Sequence, residues 1–185
     1  YMKSICAQIL SLNYTPTITF KELFLDTNIK LNISATDIDN CKQEIFNHEI
    51  HPDVPIIDVI LASVSLPLIF PPVIINNKRY VDGFLMNDIP YQILEDKENM
   101  LILYINETYE INAANETLFE YIMKIIYCFT KHQFHIPDDM KKKILELTTG
   151  NNKNKEISKV ITLNMDDKIN YFYYGKKLTK EFLKK

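Results

Sequence analysis

The sequence predicts an α/β fold, and two observations carry that prediction. Segments with period-two patterning alternate with segments of helical spacing along the whole chain. The continuous apolar run Met100-Leu101-Ile102-Leu103-Tyr104-Ile105 has strand length and the character of a strand buried on both faces in a parallel sheet. With 185 residues, 46% hydrophobic and 24% charged, the chain has enough apolar surface for one real core. No repeats occur, and nothing marks an internal domain boundary.

The elements follow in order. Residues 1–13 read as a short amphipathic helix, with Ile5, Ile9 and Leu12 at helical spacing and Pro16 beyond its end. Thr19 to Phe24 reads as a helical turn with Thr19 as N-cap and Glu22 closing a capping box. Lys30 to Thr36 alternates as a strand, Asp37 to Asn40 is turn chemistry, and Gln43 to Ile50 alternates again and is expected to pair with the preceding strand. Val54 to Leu66 reads as a buried helix stopped by Pro67. Val73 to Ile75 and Arg79 to Val81 flank Asn76-Asn77 as a hairpin with a tight turn, its second strand ending at Asp82-Gly83.

Pro90 to Leu94 starts a short helix, and the strand at 100–105 follows. Asn115 to His132 gives the strongest helical pattern, with Asn115 as cap. Its stripe of Leu118, Tyr121, Ile122, Ile125, Ile126 and Phe129 is expected to face the core. Pro137 to Leu147 reads as a helix with Lys141 to Lys143 on its solvated face. Residues 150–154 read as a loop, Val160 to Leu163 as a strand and Asn170 to Lys185 as a closing helix, basic at its C-terminal end.

Composition excludes several functions. The net charge is −3 and Arg79 is the single arginine, so no basic surface suited to nucleic acid is expected. Gly83, Gly150 and Gly175 are the only glycines and lie far apart. That excludes a P-loop, a dinucleotide fingerprint and a G-x-S-x-G nucleophile elbow within these residues. Cys6, Cys41 and Cys128 are too scattered for a disulfide framework and are expected as small buried hydrophobes in a reducing compartment. Two H-x-x-H pairs, His48/His51 and His132/His135, lack a third ligand at short range, so they are expected as surface loop histidines and no metal is expected. No apolar run reaches the ~18 residues of a membrane span.

The informative stretch runs from Leu61 to Pro90. Asp82 stands at a strand end and is followed by Gly83, a position where the sheet holds a carboxylate rigidly and other backbone approaches closely. Such a carboxylate suits a general base, and Asp-Gly is equally the commonest turn chemistry. The two residues alone leave both readings open.

The surrounding residues resemble the patatin-like phospholipase family. Ala62-Ser63, Pro67 and Phe70-Pro71-Pro72-Val73 are similar to its A-S-x-x-x-P-x-x-F-P-P-V stretch. Asp82-Gly83 and Asp88-Ile89-Pro90 are similar to its D-G-[GA]-x-x-x-N-x-P motif, with Phe84 in place of Gly or Ala and Asp88 in place of Asn. Thr19-Phe20-Lys21-Glu22-Leu23 and the strand ending in Ala35-Thr36-Asp37 resemble its upstream motifs. Beyond residue 90 the resemblance is architectural only.

The resemblance implies a three-layer α/β/α fold and a Ser–Asp dyad that cleaves lipid acyl esters without metal or cofactor. Asp82 falls on the dyad's aspartate, Gly83 supports the motif, and Phe84 is expected to crowd the substrate or line an acyl pocket. Ser63 and Ser65 fall on family scaffold. The serine elbow and a Gly-rich oxyanion loop are expected upstream of Tyr1, so that residues 1–185 form the C-terminal portion of one domain. A lipid or phospholipid ester substrate, peripheral contact with a membrane and a cytoplasmic location are expected. The rival expectation is a non-catalytic remnant that binds lipid or a partner.

Overall fold

The computed structural model describes residues 2–87, 89–94, 96–106, 117–133, 138–148 and 165–184. The chain divides into two compact units, one made of Tyr1–Ile93 with Phe119–Phe134 and the other of Leu94–Leu118 with His135–Lys185.

In the first unit, helix α1 spans Met2–Leu10 and α2 spans Phe20–Thr27. The capping box starts α2 as the sequence predicts: Glu22 N donates to Thr19 Oγ1 (3.2 Å) and Thr19 N donates to Glu22 Oε2 (2.8 Å). Asn28 ends the helix in a left-handed conformation (φ 56°), which asparagine tolerates better than most residues. Strand β1 (Ile33–Asp37) pairs antiparallel with β2 (Lys42–Phe46). The second strand is shorter than its alternating pattern, because Asn47 Oδ1 accepts from Glu49 N (3.0 Å) and Ile50 N (2.9 Å) and turns the chain away. Helix α3 (Ile56–Ser63) packs on the sheet and against α1. It stops three residues earlier than expected, where Ser65 turns its hydroxyl back to Leu61 O at 2.5 Å.

Strands β3 (Val73–Ile75) and β4 (Lys78–Asp82) form the predicted hairpin. Asn76 and Asn77 both take positive φ (50° and 61°), the geometry of a two-residue turn whose twist matches the strands it joins. The sheet order is β2-β1-β4-β3, antiparallel throughout. Its core gathers Phe20, Ala35, Phe46, Val59, Ala62 and Tyr80, with Phe46 meeting the Tyr80 ring edge-on at 5.1 Å. Burial of this kind contributes about 25 cal/mol per Å² of apolar surface, which is what holds α3 on the sheet. Helix α4 spans Leu118–Gln133. Its expected core stripe is largely exposed: Leu118 at 73%, Tyr121 at 53% and Phe129 at 70%, with Ile122 and Ile126 half-buried.

In the second unit, β5 (Ile102–Asn106) pairs in parallel with β6 (Ile144–Thr148). The parallel pairing agrees with the apolar run, but burial on both faces does not follow: Ile102 is buried while Leu101, Leu103 and Ile105 are exposed. The helix expected at 137–147 is instead a 3-10 turn, Asp138–Lys143, leading into β6. Strand pairing with β5 overrides the helical propensity of that stretch. Helix α5 (Met165–Phe182) closes the chain, begins earlier than its pattern suggested and packs on β6. The cap at Asn115, the loop at 150–154 and the strand at 160–163 lie outside the described residues. Among the described residues no helix is long and apolar enough to cross a membrane.

Candidate functional site

Asp82 is the last residue of β4, and the fold fixes it from three sides. Its backbone pairs with Ala35 of β1. Its amide donates to the carbonyl of Ser65 at 3.0 Å, on the segment that leaves α3. Its carbonyl accepts from the hydroxyl of Thr36 at 2.8 Å. Thr36 and Ser65 are themselves buried, so both bonds are shielded from competing water. The sequence singled out Asp82 but not its two hydrogen-bond partners; the Ala35-Thr36-Asp37 run was the signal for one of them.

The carboxylate lies where the strand turns into a 3-10 helix, Gly83–Leu85. Asp82 Oδ1 accepts from Phe84 N at 3.1 Å, so the carboxylate is tethered to the start of that turn. Gly83 is buried against β1. A Cβ there would lie 2.8 Å from Ser34 O and 2.9 Å from Ser34 Oγ, so no larger residue fits without movement. Ser34 is in turn held by Gln43 Nε2, which donates to its hydroxyl at 2.9 Å. Phe84 is half-buried and contributes its amide to the Asp82 tether, a task that any residue but proline performs. Asp88 lies outside the described residues.

The other carboxylates of this face have different work. Asp37 is fully buried and accepts from Asp39 N (3.0 Å), Asn40 N (3.1 Å) and Asn40 Nδ2 (2.8 Å), while Lys78 Nζ stands 3.8 Å away. The Asn40 side-chain bond leads in holding its carboxyl below the ordinary carboxylate value. Asp39 does not bond its own turn, as turn chemistry alone suggests. It receives Arg79 through the backbone amide (2.8 Å), Nε (2.8 Å) and Nη2 (2.6 Å). That guanidinium pairing lowers the Asp39 pKa and ties the single arginine of the chain into the sheet.

Ser65 is buried scaffold, its hydroxyl proton committed to Leu61 O. His48 and His51 are not free loop histidines: His48 stacks on Phe24 with centroids 3.8 Å apart, and His51 tilts over Phe46 at 4.4 Å. Burial pushes the His51 imidazole below its ordinary pKa. The side chains of the second pair, His132 and His135, lie outside the described residues. No group of three potential metal ligands converges among the described residues. The cysteines depart from expectation: Cys41 and Cys128 are exposed and Cys6 is half-buried. Cys41 sits at a positive φ of 50° in the β1–β2 turn, where exposure follows from the turn itself.

Three comparisons relate the chain to known proteins. The sequence model of the family described as patatin-like phospholipase matches residues 3–95, the span that builds the sheet and Asp82. "Probable lipid hydrolase 463L" of Invertebrate iridescent virus 6 is 40% identical over 77 residues, covering 42% of this chain and 27% of that protein. The crystal structure of VipD from Legionella pneumophila superimposes with a TM-score of 0.59 at 15% identity, covering 90% of this chain and 35% of that one, a likeness of fold. The chain therefore spans about a third or less of the length of each relative.

Proposed function

Because this chain belongs to the patatin-like phospholipase family, we propose that Asp82 is the general base of a Ser–Asp dyad that hydrolyses lipid acyl esters. The observation that carries the reading is the placement of Asp82. A carboxylate at a strand end, with backbone bonds to Ser65 and Thr36 and a side-chain tether to Phe84 N, is held rigidly enough to meet a nucleophile's proton. In the proposed step the carboxylate takes the proton of a serine hydroxyl as its oxygen attacks the ester carbonyl. The proton then passes to the departing alcohol, and water, activated by the same carboxylate, releases the fatty acid from the acyl-enzyme.

No G-x-S-x-G occurs in these 185 residues, so the reading requires the serine and the oxyanion donors from outside them. Residues 1–185 are then one portion of a larger catalytic domain. Phe84, in the place of a family Gly or Ala, adds apolar surface beside the carboxylate for an acyl chain.

The test uses a polypeptide that contains both this chain and a G-x-S-x-G serine. Asp82→Asn is expected to lower kcat/KM on a short-chain p-nitrophenyl ester by ~10²-fold or more, with unchanged circular dichroism. Asp39→Asn is expected to retain most of the activity. If Asp82→Asn keeps more than about a tenth of the rate, Asp82 is a turn residue and the dyad reading fails. Residues 1–185 by themselves are expected to show no turnover; Asp82-dependent turnover by them would place a nucleophile within this chain and refute the division of the dyad.

A further inference from the structure

Helix α5 carries two opposite rows. Tyr171, Gly175, Leu178 and Phe182 recur at spacings of three and four and are half-buried, consistent with the packing of α5 on β6. The other row holds Ile169, Phe172, Tyr173, Lys176 and Lys180, with Leu183 just past the helix end, all exposed. Phe172 is 68% exposed and Leu183 76% exposed. Phe172 and Tyr173 pack on each other edge-to-face at 5.7 Å, so the two rings form one outward projection.

Positive charge is concentrated at the C-terminal end of this helix and in the three residues after it, while Asp166 and Asp167 stand at its N-terminal end. Residues 176–185 contain five lysines and one acid, Glu181, a net of +4 in a chain whose net charge is −3. The remaining 175 residues therefore carry −7. The helix dipole accounts for cations in the last turn, but not for lysines set among exposed aromatic and aliphatic side chains. Lys177 pairs with Glu181 at 4.0 Å, whereas Lys176 and Lys180 make no ion pair among the described residues.

We propose that this face of α5 binds an anionic phospholipid surface, lying in the plane of the interface. The rings of Phe172 and Tyr173, with Ile169 and Leu183, enter the acyl boundary. Lys176 and Lys180 extend their stems along that boundary and place their ammonium groups at the phosphates. Exposed aromatic residues, flexible lysines and a strongly cationic end on an acidic chain are the combination that separates an interfacial helix from a core helix. The similar exposed stripe on α4 belongs to a helix with only two lysines, Lys124 and Lys131, and no lysine-rich end, and it points to no occupant. The inference concerns binding alone and holds whether or not Asp82 is a base.

The experiment is co-sedimentation of the 185-residue chain with vesicles of ether-linked lipid, which no esterase cleaves. One set is phosphatidylcholine alone and the other contains about a third phosphatidylserine, a PS-rich surface. Partitioning is expected to be about tenfold or more stronger on the anionic vesicles and to weaken as salt rises. Lys176→Glu/Lys180→Glu and Phe172→Ser/Tyr173→Ser are each expected to reduce it about tenfold, while Phe129→Ser on α4 leaves it unchanged. Equal binding to both vesicle types, or anionic binding that survives both double variants, overturns the proposal. So does light scattering that shows a dimer abolished by Phe172→Ser/Tyr173→Ser, since a second copy then covers this face.

Discussion

The carbonyl oxygen of Ser34 lies 2.8 Å from the point where a Cβ on Gly83 would stand. The contact joins β1 to the first residue after Asp82, so the size of residue 83 sets how closely the two strands carry the site.

Alanine substitution is therefore expected to act in opposite senses at two glycines. Gly83→Ala forces backbone apart and is expected to destabilise by about 1–3 kcal/mol, the usual cost of overpacking. Gly175→Ala in α5 meets nothing within 4 Å and is expected to stabilise its helix by about 0.5–1 kcal/mol. Urea midpoints of the two variants check both signs; a neutral Gly83→Ala would mean that Ser34 yields without cost.

Thr36→Val keeps the shape of the side chain but removes the hydroxyl that donates to Asp82 O. A buried carbonyl loses a partner, and the expected loss is about 1 kcal/mol in stability. Amide exchange at Asp82 is expected to accelerate by more than exchange within α2, because the lost bond is local to the seam. Uniform acceleration would count against a positioning role for Thr36.

The Asp39–Arg79 pair gives a sign for acid stability. Its hydrogen bonds lower the Asp39 pKa below the ordinary carboxylate value, so the unfolded chain takes up that proton first as pH falls. The contribution is fully present above about pH 4 and is lost as pH drops through the folded pKa. Arg79→Gln is expected to flatten the acid limb of a stability–pH curve by lowering stability above about pH 4, where the pair contributes, and not at the acid end; the drop is small because the pair is surface-exposed. An unchanged acid limb would show that Asp39 gains nothing from its partner.

Tyr80 sets the alkaline limb. Burial leads in pushing its phenol from 10.0 up to about 12, with Glu44, Asp37 and Asp39 adding to it. Between those values the unfolded chain releases the proton and the folded chain keeps it. Stability is thus intact below pH 10 and declines as pH rises toward 12. Tyr80→Phe is expected to remove most of that decline, read from thermal midpoints across the window.

Local chemistry was legible in the sequence. The Thr19–Glu22 box, the Asn76-Asn77 turn and the end of β4 at Asp82 each depend on residues a few positions apart. The bonds of Arg79 to Asp39 and of Thr36 to Asp82 were not legible, because they join residues 40 and 46 positions apart across a register that only the folded sheet defines. The stretch at 144–147 was misread as helix because its strand state depends on β5. The stripe of α4 was misread because helical periodicity locates an apolar face without saying what covers it.

The sheet consists of two hairpins, β1–β2 and β3–β4, joined along a single seam. Each hairpin can close within about 1–10 μs, since its strands are neighbours in sequence. The seam unites distant residues and must first meet the entropy of a long loop that contains α3. Asp82 lies on that seam, opposite Ala35. Assembly order thus separates secondary structure from chemistry: a chain caught with both hairpins formed and the seam open has every strand of this sheet, and no placed carboxylate.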